Sequence, residues 1–218
     1  MLKPGKKTEV TALGNPIRPP DLTLDRAECR ERFGLQPDAT VLLVVGGSQG
    51  SRAINEALLR SLAEGARLDG QILWATGPSH YESVKSRLAQ MGGVDWVIPI
   101  PYIIEMPKAL AAADIALSRA GAMATAELLA WGIPMLLIPL PTAAADHQTH
   151  NARALAAAGA ARMLLESDLS GSKLWDELTL LTGDVVLREH MAKAALERAR
   201  PNAARDIAQH LVALLDER

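Results

Sequence analysis

The segment Val41-Leu42-Leu43-Val44-Val45-Gly46-Gly47-Ser48-Gln49-Gly50-Ser51 decides the fold of this chain. Its five β-prone apolar residues are typical of a strand buried on both faces, as in a parallel sheet. The glycines let the backbone turn sharply and approach a ligand without obstruction by a Cβ atom. A helix starting at Ser51 would then direct unpaired N–H groups and the positive end of its dipole toward an anion. The segment predicts a strand, a phosphate-binding turn and a helix, although a tight β-to-α connection without a ligand fits the same spacing.

The composition of the 218 residues narrows the class of protein. With 49% hydrophobic residues, the chain can bury a full α/β core, and we expect one compact domain. The formal net charge of -2 provides no basic field, so we expect no nucleic-acid partner. A single cysteine, Cys29, excludes an intramolecular disulfide framework and fits a reducing compartment such as the cytoplasm.

Membrane insertion is not predicted from the sequence. No apolar run reaches the roughly 18 residues that a membrane-spanning helix needs. The N-terminal segment Met1 to Lys7 also lacks the apolar core of a signal peptide. We therefore expect a cytoplasmic protein whose contact with a membrane is peripheral.

Further along the chain, strand-like runs alternate with amphipathic segments. Five more strands are predicted, over residues 71–76, 96–100, 115–118, 135–138 and 162–165. Helices with apolar residues at three-and-four spacing are predicted over 51–64, 79–91, 106–112, 122–131 and 147–158. This alternation predicts an α/β fold with a doubly wound parallel sheet, whose ligand site lies outside the carboxyl ends of the strands.

The two ends of the chain depart from this alternation. Residues 1–20 include Gly14-Asn15-Pro16-Ile17-Arg18-Pro19-Pro20, whose prolines favour a stiff extended segment, and we interpret them as the remnant of an interdomain linker. A short helix is predicted over 24–33. Residues 21–218 form the predicted ligand-binding domain, which ends in helices from Ser170 onward. The last helix, from Ala203 to Leu215 behind Pro201, is expected to pack across the domain edge.

A second strand end, glycine turn and helix start occurs over residues 118–127, Ser-Arg-Ala-Gly-Ala-Met-Ala-Thr-Ala-Glu. Its small residues leave room for a ligand above the helix N-terminus. The Glu127 carboxylate could accept hydrogen bonds from both hydroxyls of a ribose. An acid near a helix N-terminus is also favoured by the helix dipole alone, so the ribose contact is one of two interpretations.

A third polar cluster follows the fifth strand, in Asp146-His147-Gln148-Thr149-His150-Asn151. Gln148 and Asn151 are three residues apart and share a helix face, where their amides suit sugar hydroxyls. Asp146 could instead be only an N-cap, and the two histidines solvated helix residues. No third ligand at suitable spacing accompanies His147 and His150, so no metal site is predicted.

Other nucleotide-binding motifs do not fit the sequence. The glycines of 46–50 do not read Gly-x-Gly-x-x-Gly, and the second strand ends in Ala75-Thr76-Gly77 rather than in an acid, which disfavours NAD. No Gly-x-x-x-x-Gly-Lys follows a strand, so nucleotide hydrolysis of the P-loop type is not supported. Without an Asp-x-Asp to hold a divalent ion, a diphosphate would depend on helix ends, backbone N–H groups and Arg18, whose guanidinium could clamp it bidentately.

Four motifs, over residues 14–18, 46–52, 118–127 and 146–152, together resemble the donor-binding half of the MurG family. These are GT-B glycosyltransferases, and the resemblance spans about Gly14 to Leu215. It implies a Rossmann-like C-terminal domain of an inverting, metal-independent enzyme that needs no cofactor. The implied reaction moves GlcNAc from UDP-GlcNAc to undecaprenyl-diphospho-muramoylpentapeptide, converting lipid I to lipid II in peptidoglycan synthesis.

The resemblance also implies roles for individual residues. It assigns the diphosphate and its pocket to Arg18, Gly47, Ser48, Gln49, Ala122 and Met123. It assigns the ribose to Glu127, the uracil to the backbone of Ile103, and the sugar to His147, Gln148 and Asn151. The chain departs from the family at Ala124, where a hydroxyl residue is usual, and at His147, where some members have glutamine.

Members of the family also carry an N-terminal domain that binds the acceptor and supplies the proposed catalytic base. Because this chain starts at the linker, the resemblance implies no catalytic residue here and little activity without that domain. A missing or separate domain would bring the lipid-linked acceptor at the cytoplasmic face of the bacterial inner membrane. His147 as a substitute base conflicts with its expected place on the donor side. Two alternatives stay open: a subunit of a split UDP-GlcNAc-dependent glycosyltransferase, and a UDP-GlcNAc epimerase domain that needs acids from both domains.

Overall fold

The computed structural model describes residues 10–169 and 171–216. Residues 1–9 of the predicted linker, and Ser170 and residues 217–218 of the predicted domain, lie outside the described residues. Within the described part, a six-stranded parallel sheet is flanked by helices on both faces.

The sheet has the strand order β3-β2-β1-β4-β5-β6, with every neighbouring pair parallel. The chain reverses its direction of winding between β1 and β4, which confirms the predicted doubly wound topology. Val45, the last residue of β1, pairs with Ala75 of β2 and Ser118 of β4, so the loops after these strands emerge side by side. The strands are β1 (Val41–Val45), β2 (Gln71–Ala75), β3 (Val97–Ile100), β4 (Ile115–Ser118), β5 (Met135–Leu137) and β6 (Ala161–Met163).

The predicted helices are confirmed, with ends that differ from the sequence-based bounds by no more than two residues. Two short 3₁₀ turns, Ala144–Asp146 and Glu166–Asp168, lie in the loops after β5 and β6. The helices are α1 (Arg26–Arg32), α2 (Arg52–Ala63), α3 (Tyr81–Met91), α4 (Met106–Ala112), α5 (Ala122–Ala130), α6 (His147–Ala157), α7 (Gly171–Gly183), α8 (Val185–Arg198) and α9 (Ala203–Asp216).

The core has one layer on each face of the sheet. Successive residues of β1 point to opposite faces, so Leu42 joins the layer formed with α2, α3 and α7, and Leu43 joins the layer formed with α1, α4, α5 and α6. Both side chains are almost fully buried, at 1% and 0% exposure. Each such side chain stabilises the fold by roughly 1.5–3 kcal/mol relative to an exposed one. This rigid sheet fixes the positions of the loops at its carboxyl edge.

A partly buried charge cluster joins α1 to the amino ends of β1 and β4. Asp114 forms ion pairs with Arg26 at 2.5 Å and with Arg30 at 2.7 Å, and it accepts a hydrogen bond from the backbone N–H of Val41 at 2.7 Å. Arg30 also donates to the backbone carbonyl of Ala112 at 3.1 Å. The charges lie at the end of the sheet opposite the predicted site, so we assign them a structural role.

Helix α9 corrects one prediction. Its first residue, Ala203, is fully buried, but Leu211 and Leu215 are 57% and 69% exposed. Beyond its first turns the helix presents its apolar face to solvent within the described part of the chain. The expectation that the tail packs across the domain edge is therefore wrong for most of α9, because its apolar side chains are not covered by the described residues.

Candidate functional site

The turn after β1 is short and open to solvent. The N–H of Gly50 donates to the carbonyl of Gly47 at 2.9 Å, which closes the turn. Ser51 follows as the N-cap of α2, and its hydroxyl accepts a long hydrogen bond of 3.4 Å from the N–H of Ile54. Ser48 and Gln49 are exposed, and their N–H groups have no acceptor among the described residues. The turn therefore offers backbone donors to an anion.

The glycines of this region serve two different purposes. A Cβ atom on Gly50 would lie 2.0 Å from the carbonyl oxygen of Thr76, and one on Gly77 would lie 2.1 Å from that of Gln49. The turns after β1 and β2 thus touch backbone to backbone. Gly47 also has a positive φ, +100°, but a Cβ there would meet nothing within 4 Å. Packing requires Gly50 and Gly77, whereas Gly47 leaves open surface where a ligand can approach.

The N-terminus of α5 is the more open of the two helix starts. Gly121 is its N-cap and no side chain caps it. The first-turn N–H groups, at Ala122, Met123 and Ala124, have no acceptor among the described residues, and Met123 is 47% exposed. In contrast to α2, whose cap is Ser51, α5 keeps its donors and dipole end free. The start of α5 therefore offers an anion more free backbone donors than the capped start of α2.

Gln148 and Asn151 hold the loop that leads into α5. The Gln148 Oε1 atom accepts from the N–H of Ala120 at 3.2 Å and from the N–H of Leu140 at 3.0 Å. The Asn151 Nδ2 group donates to the carbonyl of Ala120 at 3.1 Å. Half of each amide is thereby committed to the backbone, and the Nε2 of Gln148 and the Oδ1 of Asn151 stay available. The predicted sugar contacts remain a prediction, and the structure adds a positioning role.

The loop between β5 and α6 carries backbone strain. Ala145 and Asp146 adopt φ angles of +50° and +53°, a left-handed conformation that costs roughly 1–2 kcal/mol for each non-glycine residue. Asp146 occupies the N-cap position, but its side chain accepts no capping hydrogen bond. His147, which follows, is exposed, and its Nδ1 lies 2.8 Å from the carbonyl oxygen of Ala144, an arrangement that requires the proton on Nδ1. The strain therefore lies beside predicted site residues.

Glu127 lies one turn further along α5 and is half-buried. Burial raises the pKa of its carboxyl group, and no ion pair or hydrogen bond offsets this within the described residues. It lines a cavity of about 130 Å³ together with Arg18, Met106 and Trp131. Arg18 therefore lies near Glu127. Its predicted bidentate contact with the diphosphate stays a prediction.

The loop after β3 presents unpaired backbone groups. The side chain of Ile103 is buried, at 3% exposure, which anchors the loop. Its own N–H and C=O have no partner among the described residues. Its neighbours Tyr102 and Ile104 are 51% and 89% exposed. This arrangement suits a base that is bound through backbone groups, as predicted for Ile103.

Sequence reasoning overlooked the role of Arg119. Its side chain is 12% exposed, and it donates to the Ser51 hydroxyl at 2.8 Å and to the carbonyls of Ile138 and Pro139 at 3.2 and 3.1 Å. It also forms an ion pair with Glu166 at 2.5 Å. The only sequence signal was a long cation inside a run of small residues. Arg119 therefore links the loops after β1, β4, β5 and β6.

The segment before α1 lies along the same edge. Residues 10–21 form no helix or strand, Ile17 is buried, and Asn15 donates to the carbonyl of Ala122 at 3.3 Å. Gly14, with a φ of +94°, packs against Arg200, where a Cβ would come within 2.9 Å of that side chain. The segment is held against the domain near the start of α5, and its role as an interdomain linker stays a prediction.

Taken together, the predicted site residues do gather along the carboxyl edge of the sheet. In the part of the chain that the structure describes, no group of three or more His, Cys, Asp or Glu side chains is arranged to hold a metal ion. Across the same residues, no helix combines the length and apolar character needed to cross a bilayer. The fold and this edge define a parallel α/β domain with an anion-binding helix start, the class to which nucleotide-sugar-binding domains belong.

Comparison with known proteins identifies the family. Residues 41–211 match the family described as the glycosyltransferase family 28 C-terminal domain, and the chain belongs to this family. A solved structure, MurG of Acinetobacter baumannii, is 33% identical with a TM-score of 0.72 over 83% of this chain and 53% of that chain. The predicted fold class, a Rossmann-like domain of the GT-B type, is confirmed.

Curated relatives extend the similarity. An enzyme of Moorella thermoacetica named UDP-N-acetylglucosamine–N-acetylmuramyl-(pentapeptide) pyrophosphoryl-undecaprenol N-acetylglucosamine transferase is 40% identical over 94% of this chain and 56% of its own length. An enzyme of Salinibacter ruber with the same name is 44% identical over 93% of this chain and 54% of its own length. The chain thus spans about half the length of the curated relatives that it matches. These identities, together with the solved structure, confirm the predicted resemblance to MurG.

Proposed function

We propose that this domain binds UDP-GlcNAc as the donor half of an inverting N-acetylglucosaminyltransferase. The acceptor would be the lipid-linked muramoyl-pentapeptide that the names of the relatives specify. The observation that carries the proposal is the uncapped start of α5, with the half-buried, unpaired Glu127 about one turn away. A diphosphate on the free N–H groups would bring an attached ribose within reach of that carboxylate.

The proposed binding mode uses the residues at this edge. The diphosphate lies between the N–H groups of Ser48 and Gln49 and the start of α5, while Glu127 accepts from the ribose hydroxyls. Uracil pairs with the free backbone groups of Ile103. The sugar faces the uncommitted amide of Gln148 and, beside it, Asn151 and His147.

The chemistry assigned to the domain is stabilisation of the leaving group. When the acceptor hydroxyl attacks the anomeric carbon, negative charge accumulates on the departing UDP. Backbone donors and the dipole of α5 oppose that charge, and the absence of an Asp-x-Asp motif from the sequence favours a mechanism without a divalent ion. The base that removes the proton from the acceptor is proposed to lie in a separate acceptor-binding domain.

The exposed apolar face of α9 and the share of the relatives that the chain spans both favour function together with an acceptor-binding domain. We propose that the acceptor-binding domain is either continuous with the present domain or a separate subunit. We also propose that the assembly acts as a peripheral membrane protein at the cytoplasmic face of the inner membrane. Adding an acceptor half should restore transfer, whereas formation of UDP-ManNAc by the assembly would favour an epimerase.

Titration calorimetry of the 218-residue chain with UDP-GlcNAc, UDP and NAD tests the donor role. We expect UDP and UDP-GlcNAc to bind, NAD not to bind, and EDTA to leave the affinity for UDP unchanged. Absence of UDP binding, or a preference for NAD, would contradict the proposal.

A variant tests the ribose contact. Glu127→Ala should weaken UDP by about tenfold to 100-fold, since hydrogen bonds to a charged group are worth about 1.5–3 kcal/mol each. It should affect 2′,3′-dideoxy-UDP much less. Glu177→Ala, on α7, serves as the control for a lost carboxylate. Equal losses for UDP and its dideoxy analogue would remove Glu127 from the ribose site.

A further inference from the structure

Arg119 and Glu166 form a charged pair next to Ser51, the residue that ends the predicted phosphate-binding turn. Arg119 follows β4 at the point where the winding of the sheet reverses. Glu166 lies in the 3₁₀ turn after β6. Neither residue has a place in the donor contacts described above, and both side chains are largely shielded, at 12% and 28% exposure.

The contacts of Arg119 connect separate loops at the carboxyl edge. Its guanidinium donates to the hydroxyl of Ser51, the residue that caps α2, and to the carbonyls of Ile138 and Pro139 at the exit from β5. A planar guanidinium makes these bonds from two separate nitrogens, Nη1 and Nη2, that are held in a fixed fork, whereas an ammonium has a single nitrogen. Arg119 thus fixes the start of α2, and the phosphate-binding turn before it, relative to the loop that leads into α6, the helix that carries Gln148.

Glu166 is the counter-charge of this guanidinium. Its Oε2 atom is buried and lies 2.5 Å from the Arg119 Nη2 atom in an ion pair, without the alignment of a hydrogen bond. The Arg119 Nη2 atom is also the donor to Ser51. The Glu166 carboxylate therefore interacts with the same nitrogen that donates to the N-cap residue of α2. A negative charge here also lowers the positive potential at the nearby start of α2.

We propose that Arg119 is a positioning residue for the phosphate-binding turn and that Glu166 limits the positive charge that the turn presents to its ligand. The proposal rests on the proposed function, because it needs a nucleoside diphosphate at this turn. Arg119 positions the phosphate-binding turn and adds positive charge next to it. Glu166 offsets part of that charge, so that the diphosphate product can leave. The pair sets the affinity for the charged part of the ligand and leaves the nucleoside part untouched.

Glu166→Gln tests the proposal, since the amide keeps the size of the side chain and removes its charge. Calorimetry of the 218-residue chain should show UDP binding tightened about threefold to tenfold, with the affinity for uridine unchanged. The gain should shrink as salt is added. Glu177→Gln is the matched control, because Glu177 pairs with Arg162 at a similar side-chain exposure of 24% but lies on α7. It should change neither affinity.

Variants of Arg119 provide a second, independent readout. Arg119→Lys keeps a cation but cannot reach all of the partners, and we expect UDP to bind about tenfold more weakly while uridine binds as before. Parallel urea unfolding confirms that the variants are folded. If Arg119 and Glu166 were only structural, both ligands would change in step with stability.

The outcomes separate this proposal from the donor role itself. If the parent chain binds UDP but Glu166→Gln leaves UDP affinity unchanged or weaker, the role of the charged pair is refuted and the donor role stands. If the parent chain binds no UDP, the donor role fails and this inference fails with it. Tightening of UDP alone, together with the selective loss in Arg119→Lys, supports the inference.

Discussion

Replacing Gly50 by alanine should destabilise the domain far more than the same change at Gly47. Both glycines have positive φ angles, +75° and +100°, so each alanine costs roughly 1–2 kcal/mol in backbone strain. At Gly50 the new Cβ would also lie 2.0 Å from the carbonyl oxygen of Thr76, whereas at Gly47 it would meet nothing within 4 Å. Moving these two backbone segments apart should add about 2–3 kcal/mol to the destabilisation of Gly50→Ala, by analogy with overpacking in cores.

Equilibrium unfolding in urea, supported by thermal melting, measures this difference. For a chain of this length, 1 kcal/mol shifts Tm by about 2–4 °C, so Gly50→Ala should melt at least about 4 °C below Gly47→Ala. Titration with UDP should give the opposite order. Relative to its loss of stability, Gly47→Ala should lose more affinity for UDP than Gly50→Ala, because its methyl group points into the space proposed for the diphosphate. Equal stability of the two variants would refute the division between packing glycines and an open glycine.

Three further predictions concern other parts of the molecule. Burial raises the pKa of Glu127, and ribose hydroxyls favour its ionised form, so the affinity for UDP-GlcNAc should fall as the pH is lowered through that pKa, with proton release on binding. Glu127→Gln should remove this pH dependence. Calorimetry that showed the same dependence in the variant would exclude Glu127 as its source. Asp114→Ala leaves the guanidinium of Arg30, 8% exposed, without its carboxylate, so urea unfolding should show a loss of about 2–4 kcal/mol; a loss no larger than that of the exposed control Asp69→Ala would contradict the structural role of the cluster. Leu211→Gln, on the exposed face of α9, should change stability by less than about 0.5 kcal/mol, and a larger loss would mean that α9 packs on this domain after all.

The sequence predicted the sheet well because the signal for each strand is local. Residues 41–45 and 115–117 are continuous apolar runs, and the polar or glycine residues that follow mark where each strand ends. The parallel, doubly wound character of the sheet also followed from the alternation of strands and helices, since such connections are right-handed and favour parallel neighbours, whereas the order of the strands came only from the structure. The loops at the carboxyl edge were therefore predictable as a group.

The contacts among those loops were not predictable, because they join residues far apart in the chain. The sequence gives Gln148 the chemistry to bind a sugar, but only the fold reveals that its Oε1 accepts from Ala120 and Leu140. Likewise, the contact between Gly50 and Thr76 requires the turns after β1 and β2 to be adjacent. For α9 the sequence predicted the helix itself, but an amphipathic pattern does not say which surface the apolar face of a helix meets.

Trp131 gives the cavity around Glu127 a built-in optical probe. Its indole is half-buried and lines the cavity beside Glu127 and Arg18, whereas the other tryptophans, Trp74, Trp96 and Trp175, are at most 9% exposed. Emission from the three buried indoles forms a steady background, and emission from Trp131 responds to whatever occupies the cavity. Filling the cavity replaces water next to that single ring. If the proposed donor fills this cavity, fluorescence should follow its binding and release in real time without a label, and Trp131→Phe supplies the blank.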